Sequence, residues 1–157
     1  MDRSEFIAYV ESNQKALRRF LTALCCGDSA LADDIAQETY MKAYMSADGF
    51  RGDARFSSWV YRIAYNTFIS YRRSIRPHSD VSEAAAVASD DCADSGFRYQ
   101  PLYTALDRLN ERERTAVLLF YIEGHTIKEI SAIVDASEDA VKQHLSRARK
   151  HLKTLLS

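Results

Sequence analysis

The chain has 157 residues, of which 46% are hydrophobic and 27% charged, and its formal net charge is -1. This composition is typical of a globular protein with one or two small domains. It excludes a membrane span, because no run of about 18 apolar residues occurs, and the polar N-terminus lacks the pattern of a secretory signal. We therefore expect a cytoplasmic protein with no direct insertion into a membrane.

Helix breakers are scarce, with two prolines and five glycines in the whole chain. Long stretches rich in Leu, Ala, Glu, Lys and Arg favour an all-α fold. The three cysteines, Cys25, Cys26 and Cys92, form no CxxC pair. They are interpreted as free thiols in a reducing compartment.

The first half of the chain predicts three helices. Gly27 is a suitable stop for the first helix, and Asp28 or Ser29 is a suitable N-cap for the second. The polar stretch 48–54 contains two glycines and predicts a loop before the third helix. Apolar residues recur at helical spacing over the ranges 3–26, 29–46 and 55–73.

The periodicity stops over residues 77–100, which hold five acidic residues and one basic residue. A polar, acidic stretch without an apolar pattern predicts a flexible linker. The chain then consists of two small helical domains, residues 1–76 and 101–157, on either side of it.

Four helices are predicted for the second domain. After a short helix over 102–108, Asn110 is a suitable cap for the next. Thr126 and Glu129 form a capping box that opens the third helix. Ser137 caps the last helix.

Residues 127–150 have the helix, short turn, helix spacing of a helix-turn-helix. Val141 and Leu145 would anchor the second of these helices. The outward residues suit the acceptor edges of a major groove and the flanking phosphates. They are Lys142, Gln143, Ser146, Arg147, Arg149 and Lys150. A solvated basic face on a helical hairpin is the alternative interpretation.

The third helix combines aromatic side chains with arginines. Residues 51–76 hold six arginines and one acidic residue. Aromatic rings can stack on unpaired bases while arginines follow the phosphates, but the same rings could fill the core of a small domain. We favour the core for Trp59, Ile63 and Phe68. Single-strand contact is favoured for Arg62, Asn66, Tyr65 and the loop from Phe50 to Phe56.

Three motifs, in order, resemble the extracytoplasmic-function (ECF) class of sigma factors. Residues 32–44, Ala-Asp-Asp-Ile-Ala-Gln-Glu-Thr-Tyr-Met-Lys-Ala-Tyr, resemble region 2.2. Residues 56–66, Phe-Ser-Ser-Trp-Val-Tyr-Arg-Ile-Ala-Tyr-Asn, followed by Tyr71-Arg-Arg, resemble regions 2.3 and 2.4. Residues 109–119 and 126–152 resemble region 4. The resemblance covers nearly all of the chain outside the linker.

The resemblance implies a transcription-initiation factor that is not itself an enzyme. Region 2.2 would dock on core RNA polymerase, through Asp34, Ile35, Gln37, Glu38, Tyr40 and Met41. Regions 2.3 and 2.4 would hold unpaired bases of the promoter minus-10 element, through Phe50, Arg51, Arg55, Phe56, Trp59, Arg62 and Asn66. Region 4 would bind the minus-35 duplex, through Lys142, Gln143, His144, Ser146, Arg147 and Arg149.

The resemblance also implies partners. These are core RNA polymerase, promoter DNA and a membrane-linked anti-sigma factor, with the chain itself a monomer. No cofactor or metal is expected: His144 and His151 lie near one helix face, but no third ligand is evident.

The chain departs from the family pattern at four places. Ser70 stands where the family usually has Asp, and Asp135 where it often has glycine. Asp139-Ala140 replaces a common Gly-Thr pair, and His144 replaces a usual Arg.

Two other functions fit parts of the pattern. A repressor or activator could use the same helix-turn-helix, but it would need a dimer to bind symmetrical half-sites. A helical adaptor that binds only protein is a further possibility.

Overall fold

The computed structural model describes residues 2–50, 55–75 and 100–156, and every regular element in these ranges is helical. The predicted all-α fold is confirmed. A 3₁₀ turn, Ala47–Gly49, follows the second helix, and a π turn, Leu118–Ile122, follows the fifth. The α-helices are α1 (Arg3–Leu24), α2 (Ser29–Ser46), α3 (Phe56–Ile75), α4 (Gln100–Asp107), α5 (Glu111–Val117), α6 (Ile127–Val134) and α7 (Glu138–Leu156).

Local chemistry sets the break between α1 and α2. The chain leaves α1 through two residues with positive φ, Cys26 at 55° and Gly27 at 93°. Glycine adopts this conformation without a steric penalty, which is why it ends helices. Asp28 then caps α2, since its side chain accepts a hydrogen bond from the Leu31 amide at 3.0 Å. The predicted stop and cap are both confirmed, although α1 ends two residues earlier than expected.

Helices α1, α2 and α3 form the first module, in which α2 packs against both neighbours. Its core is built from side chains with no more than a few per cent of their surface exposed. Each such Leu or Phe contributes about 1.5–3 kcal/mol by leaving water. They include Leu17, Phe20, Leu21, Leu24, Ile35, Val60 and Phe68.

Helices α4 to α7 form the second module, and a buried arginine joins its first two helices. Arg114, on α5, donates hydrogen bonds to the carbonyl oxygens of Leu106 at 3.3 Å and Leu109 at 3.4 Å. Leu106 lies in the last turn of α4 and Leu109 lies two residues beyond its end, so Arg114 ties the segment that leaves α4 to α5. Asn110 caps α5 by accepting from the Glu113 amide at 2.8 Å.

The predicted helix-turn-helix consists of α6 and α7. Thr126 and Glu129 form the predicted capping box at the start of α6. In the turn, Asp135 has a φ of 54°. Aspartate tolerates this left-handed conformation better than most residues, and glycine tolerates it best. The position therefore explains why the family often has glycine there. Ser137 accepts from the Ala140 amide at 3.1 Å and caps α7, as predicted.

The two modules lie in contact. Helix α3 packs against α6, and α1 packs against the π turn. The buried residues of both modules belong to one continuous apolar cluster, which includes Phe20 and Phe68 from the first and Leu118 and Ile130 from the second. The sequence predicts two small helical domains, residues 1–76 and 101–157, on either side of a flexible linker. The expected linker, 77–100, lies outside the described residues, as do Arg51 and Cys92.

Candidate polymerase and promoter interfaces

One side of α2 is exposed and combines acidic with apolar side chains. Asp34 lies three and four residues before Gln37 and Glu38, which in turn lie four and three residues before Met41, so the four share this side of the helix. Asp34 and Gln37 are exposed, and 63% of Met41 is exposed. Glu38 is half-buried and pairs with Lys42 at 3.1 Å.

Two residues assigned to this surface from the sequence are less accessible than Met41. Ile35 is fully buried in the core of the first module, so it supports the surface from behind and offers no contact to a partner. Tyr40 is half-buried, and its hydroxyl has no hydrogen-bond partner among the residues that the structure describes. Burial raises the pKa of Tyr40 to about 12, which keeps the hydroxyl protonated.

Two residues that the sequence reasoning missed extend the surface by one turn. Tyr44 is 50% exposed and Met45 is 78% exposed. They lie three and four residues after Met41, so the same spacing argument could have found them. Large apolar side chains grouped in water mark an interaction site, and methionine adapts well to a partner surface. We call Asp34, Gln37, Glu38, Met41, Tyr44 and Met45 the α2 face.

The aromatic residues before and within α3 pack on one another. The ring centroids of Phe50 and Phe56 lie 5.1 Å apart, and those of Phe56 and Trp59 lie 5.2 Å apart. Tyr9, from α1, meets Phe56 edge to face at 4.7 Å. Phe50, Phe56 and Trp59 are all half-buried. The cluster therefore stabilises the first module and still presents part of each ring to solvent.

The polar members of the predicted minus-10 set differ in their surroundings. Arg62 and Asn66 are exposed and share one side of α3 with Trp59. Arg55 is also exposed, but its guanidinium pairs with Glu129 of α6 at 2.7 Å. The surface of α3 is thus divided between solvent and the second module. Ser70, one of the departures from the family pattern, donates to the carbonyl oxygen of Asn66 at 3.0 Å.

The predicted minus-35 residues lie along one exposed side of α7. Val141, Leu145 and Ala148 are buried and fix the orientation of the helix. The exposed residues, which we call the α7 face, are Lys142, Gln143, Ser146, Arg147 and Arg149.

His144 differs from the rest of the predicted set because it is half-buried. It lines a cleft with Tyr65 of α3, Arg112 of α5 and Asp135 of the turn. Burial, together with the charges of Arg112 and Arg147, lowers the pKa of His144. At neutral pH it is therefore an uncharged residue beside the α7 face.

In the part of the chain that the structure describes, neither of the histidines considered for metal binding has a set of ligands around it. His151 Nδ1 lies 3.0 Å from Glu113 Oε1 and links α7 to α5. Within residues 2–50, 55–75 and 100–156, no group of three or more His, Cys, Asp or Glu side chains is placed to hold a metal ion. In the same ranges no helix has the length and apolar character needed to cross a membrane.

Family models match the two modules separately. Residues 9–77 match Sigma-70 region 2, and residues 99–152 match Sigma-70, region 4. The first match contains the α2 face and α3, and the second contains α6 and most of α7.

Curated relatives share this organisation. The chain is 30% identical to the ECF RNA polymerase sigma factor EcfG of Rhodopseudomonas palustris, over 98% of the chain and 84% of that protein. It is 31% identical to the ECF RNA polymerase sigma-E factor of Escherichia coli, over 74% of the chain and 69% of that protein.

Two solved structures have a similar fold. The sigma factor RpoE, in complex with the anti-sigma factor NepR from Bartonella quintana, superposes with a TM-score of 0.80 at 27% identity, over 97% of this chain and 96% of that one. CnrH, in complex with the cytosolic domain of CnrY, superposes with a TM-score of 0.70 at 25% identity, over 99% and 89% of the two chains. Taken with the two helical modules and their exposed faces, these matches show that the chain belongs to the ECF RNA polymerase sigma factors, which direct promoter-specific transcription initiation.

Proposed function

We propose that the α2 face is the surface through which this chain binds core RNA polymerase. The observation that carries the proposal is the exposure of Met41, Tyr44 and Met45 beside the acidic Asp34. Solvent-exposed apolar side chains of this size are unfavourable in water, and a partner would bury them. The acidic residues would orient the chain on the polymerase and speed its association, and they would contribute less to the affinity.

Promoter DNA would then be held at two places. The α7 face inserts into the major groove of the minus-35 element, where Gln143 and Arg147 contact base edges and Lys142 and Arg149 contact phosphates. Near α3, Arg62 and Asn66 contact the separated minus-10 strand, with Phe50, Phe56 and Trp59 as stacking surfaces. Arg51 and Arg55 follow its phosphates. The chain acts by binding and positioning, without a catalytic residue of its own.

The second partner that we propose is an anti-sigma factor linked to the membrane. Support comes from the two similar solved structures: one is a sigma factor bound to the anti-sigma factor NepR, and the other is CnrH bound to the cytosolic domain of CnrY. The chain would therefore work in the cytoplasm as a monomer, and an apolar surface such as the α2 face would be available to either partner.

Co-purification with core polymerase, followed by transcription of sheared genomic DNA, tests the proposal. The wild-type chain should bind core enzyme and start RNA synthesis at a small set of reproducible sites. A variant with Met41→Ala and Met45→Ala should lose most of its binding and keep its helical content. Gln14→Ala, an exposed change on α1, is the control and should bind as the wild type does.

Three results would contradict the proposal. The first is unchanged binding by the double variant, which would place the docking surface elsewhere. The second is failure of the folded wild-type chain to bind core enzyme at any salt concentration. The third is tight, sequence-specific binding of duplex DNA without polymerase, which would favour a simple repressor or activator.

A further inference from the structure

Asp139 is an acidic residue on the side of α7 that is proposed to enter the major groove. It lies four residues before Gln143 and seven before Ser146, so the three share one side of the helix. Val141 and Leu145 are fully buried and lie on the other side of α7. Asp139 is itself exposed. It therefore stands beside the α7 face, one turn nearer to the start of the helix.

The local structure does not use the carboxylate of Asp139. Within the described ranges this carboxylate takes part in no ion pair or hydrogen bond. Ser137 already caps α7, since its hydroxyl accepts from the Ala140 amide at 3.1 Å. An acidic residue in the first turn is favoured by the helix dipole, but Glu138 supplies such a charge as well. The carboxylate of Asp139 is therefore available to a partner of α7.

A carboxylate on this side of α7 can approach only part of a DNA duplex. Phosphates repel it, so Asp139 adds nothing to sequence-independent binding, in contrast to Lys142 and Arg149. The first residues of a recognition helix contact base edges. In the major groove guanine presents two acceptors, and thymine presents an acceptor and a methyl group, so neither base can donate to a carboxylate. The amino groups of cytosine and adenine can.

Cytosine is the better partner of these two bases. The N6 amino group of adenine lies between two acceptors, its own N7 and the O4 of the paired thymine, and both repel a carboxylate. The N4 amino group of cytosine lies at the edge of its base pair and has an acceptor on one side only. Aspartate and glutamate accordingly accept from cytosine N4 in protein–DNA contacts.

We infer that Asp139 is a specificity-determining residue, whose carboxylate accepts a hydrogen bond from the N4 amino group of a cytosine in the minus-35 element. The inference rests on the proposed function of the α7 face. The basic residues of that face attract any duplex, whereas Asp139 weakens binding to each duplex that lacks the cytosine. The departure from the family pattern at this position therefore bears on promoter choice.

The test uses holoenzyme reconstituted from core polymerase and the full chain. A promoter found with genomic DNA is randomised over its minus-35 element, and sequencing of the transcribed templates gives the base preference at each position. The wild type should prefer cytosine to guanine and thymine by about tenfold at one position. Asp139→Ala should remove the preference at that position and leave the other positions unchanged.

A second variant, Asp139→Asn, should exchange one base for another. An asparagine side chain pairs with both N6 and N7 of adenine, so the preference at the same position should change from cytosine to adenine. A residue that only stabilised the start of α7 would alter the use of all promoters together. The exchange therefore distinguishes base contact from a structural role.

Glu138→Gln is the matched control, because it removes the same charge from the neighbouring residue in the first turn. Glu138 lies three residues before Val141 and seven before Leu145, so it stands next to the buried side of α7. Its base preferences should equal those of the wild type at every position. The inference is wrong if both Asp139 variants keep the wild-type preferences, or if Glu138→Gln changes them in the same way.

The same experiment separates this inference from the proposed function. A wild-type holoenzyme with no base preference in the minus-35 element would contradict the role of the α7 face, and the inference with it. A clear base preference that does not respond to Asp139 would contradict only the inference. Circular dichroism should show wild-type helical content in each variant, because both substituted residues are exposed.

Discussion

The two helices proposed to meet promoter DNA, α3 and α7, differ in how much of their surface is free. Arg147 and its neighbours on the α7 face are exposed. On α3, Arg62 and Asn66 are exposed, whereas Arg55, the residue just before α3, is paired with Glu129. A duplex site can be contacted by a helix that is already exposed. A single strand appears only after melting, so its binding surface can be kept partly covered until that step.

Removing the packing that orients α7 should have the largest effect. Leu145 is fully buried between the exposed residues of the α7 face. Leu145→Ala should lower the free energy of unfolding by about 2–5 kcal/mol, because it deletes buried methyl groups and leaves a cavity. Chemical denaturation measures the change. A loss below about 1 kcal/mol would mean that α7 is not held by this side chain.

The next largest effect is expected from removing a proposed base contact. Arg147→Ala should weaken use of the minus-35 element by about 1–3 kcal/mol and relax sequence preference at one position. Competition between promoter variants in transcription by the reconstituted holoenzyme measures both effects. Lys15→Ala, on the exposed side of α1, is the control. An equal loss of transcription on every promoter variant would indicate that Arg147 contacts a phosphate and not a base.

Lowering the pH should uncover the part of the α3 surface that Glu129 covers. The pKa of Glu129 is lowered from 4.5 to about 2, mainly by the hydrogen bonds from Arg55 and Thr126, against the opposing effect of burial. The stabilisation that ionised Glu129 gives to the contact between the modules is therefore complete above pH 4.5 and is lost as the pH falls towards 2.

His125 adds an earlier step to this pH dependence. Burial lowers the pKa of His125 below 6.5, with Arg55 acting in the same direction and Glu129 against it. The closed form favours the neutral ring, so its stability falls as the pH drops below 6.5. Scattering between pH 7 and pH 3 should show opening that begins with His125. The Glu129→Gln variant should lose the later step, and an unchanged pH profile in that variant would contradict the assignment.

The smallest expected effect concerns the turn of the helix-turn-helix. Asp135 has a φ of 54°, which favours glycine. Asp135→Gly should raise the free energy of unfolding by roughly 0.5 kcal/mol, because aspartate already tolerates the conformation. Thermal denaturation would detect the gain, and a marked loss of stability would mean that the aspartate side chain has a role of its own.

Much of the fold could be predicted from the sequence because it depends on local chemistry. The stop at Gly27, the cap at Asp28 and the box of Thr126 and Glu129 each involve residues no more than a few positions apart. The sequence assigns Ile35 to polymerase docking because the motif contains it, but its position turns it towards the core.

The contact between modules could not be predicted in the same way. Arg19 and Glu123 are 104 positions apart, and Arg55 and Glu129 are 74 positions apart. Neither pair leaves a periodic pattern in the chain. The Glu129 carboxylate was interpreted only as part of a capping box. Its second role depends on the fold that brings α3 and α6 together.

The most direct test of the account is the distance between α3 and α6 before and after polymerase binds. Spin labels on exposed positions, Ser70→Cys of α3 and Lys128→Cys of α6, would report it in a chain whose three native cysteines are replaced by serine. Pulsed electron paramagnetic resonance should give one short distance between the two labels in the free chain and a longer one in the complex with core enzyme. A distance that stays short in a holoenzyme active in transcription would contradict the account.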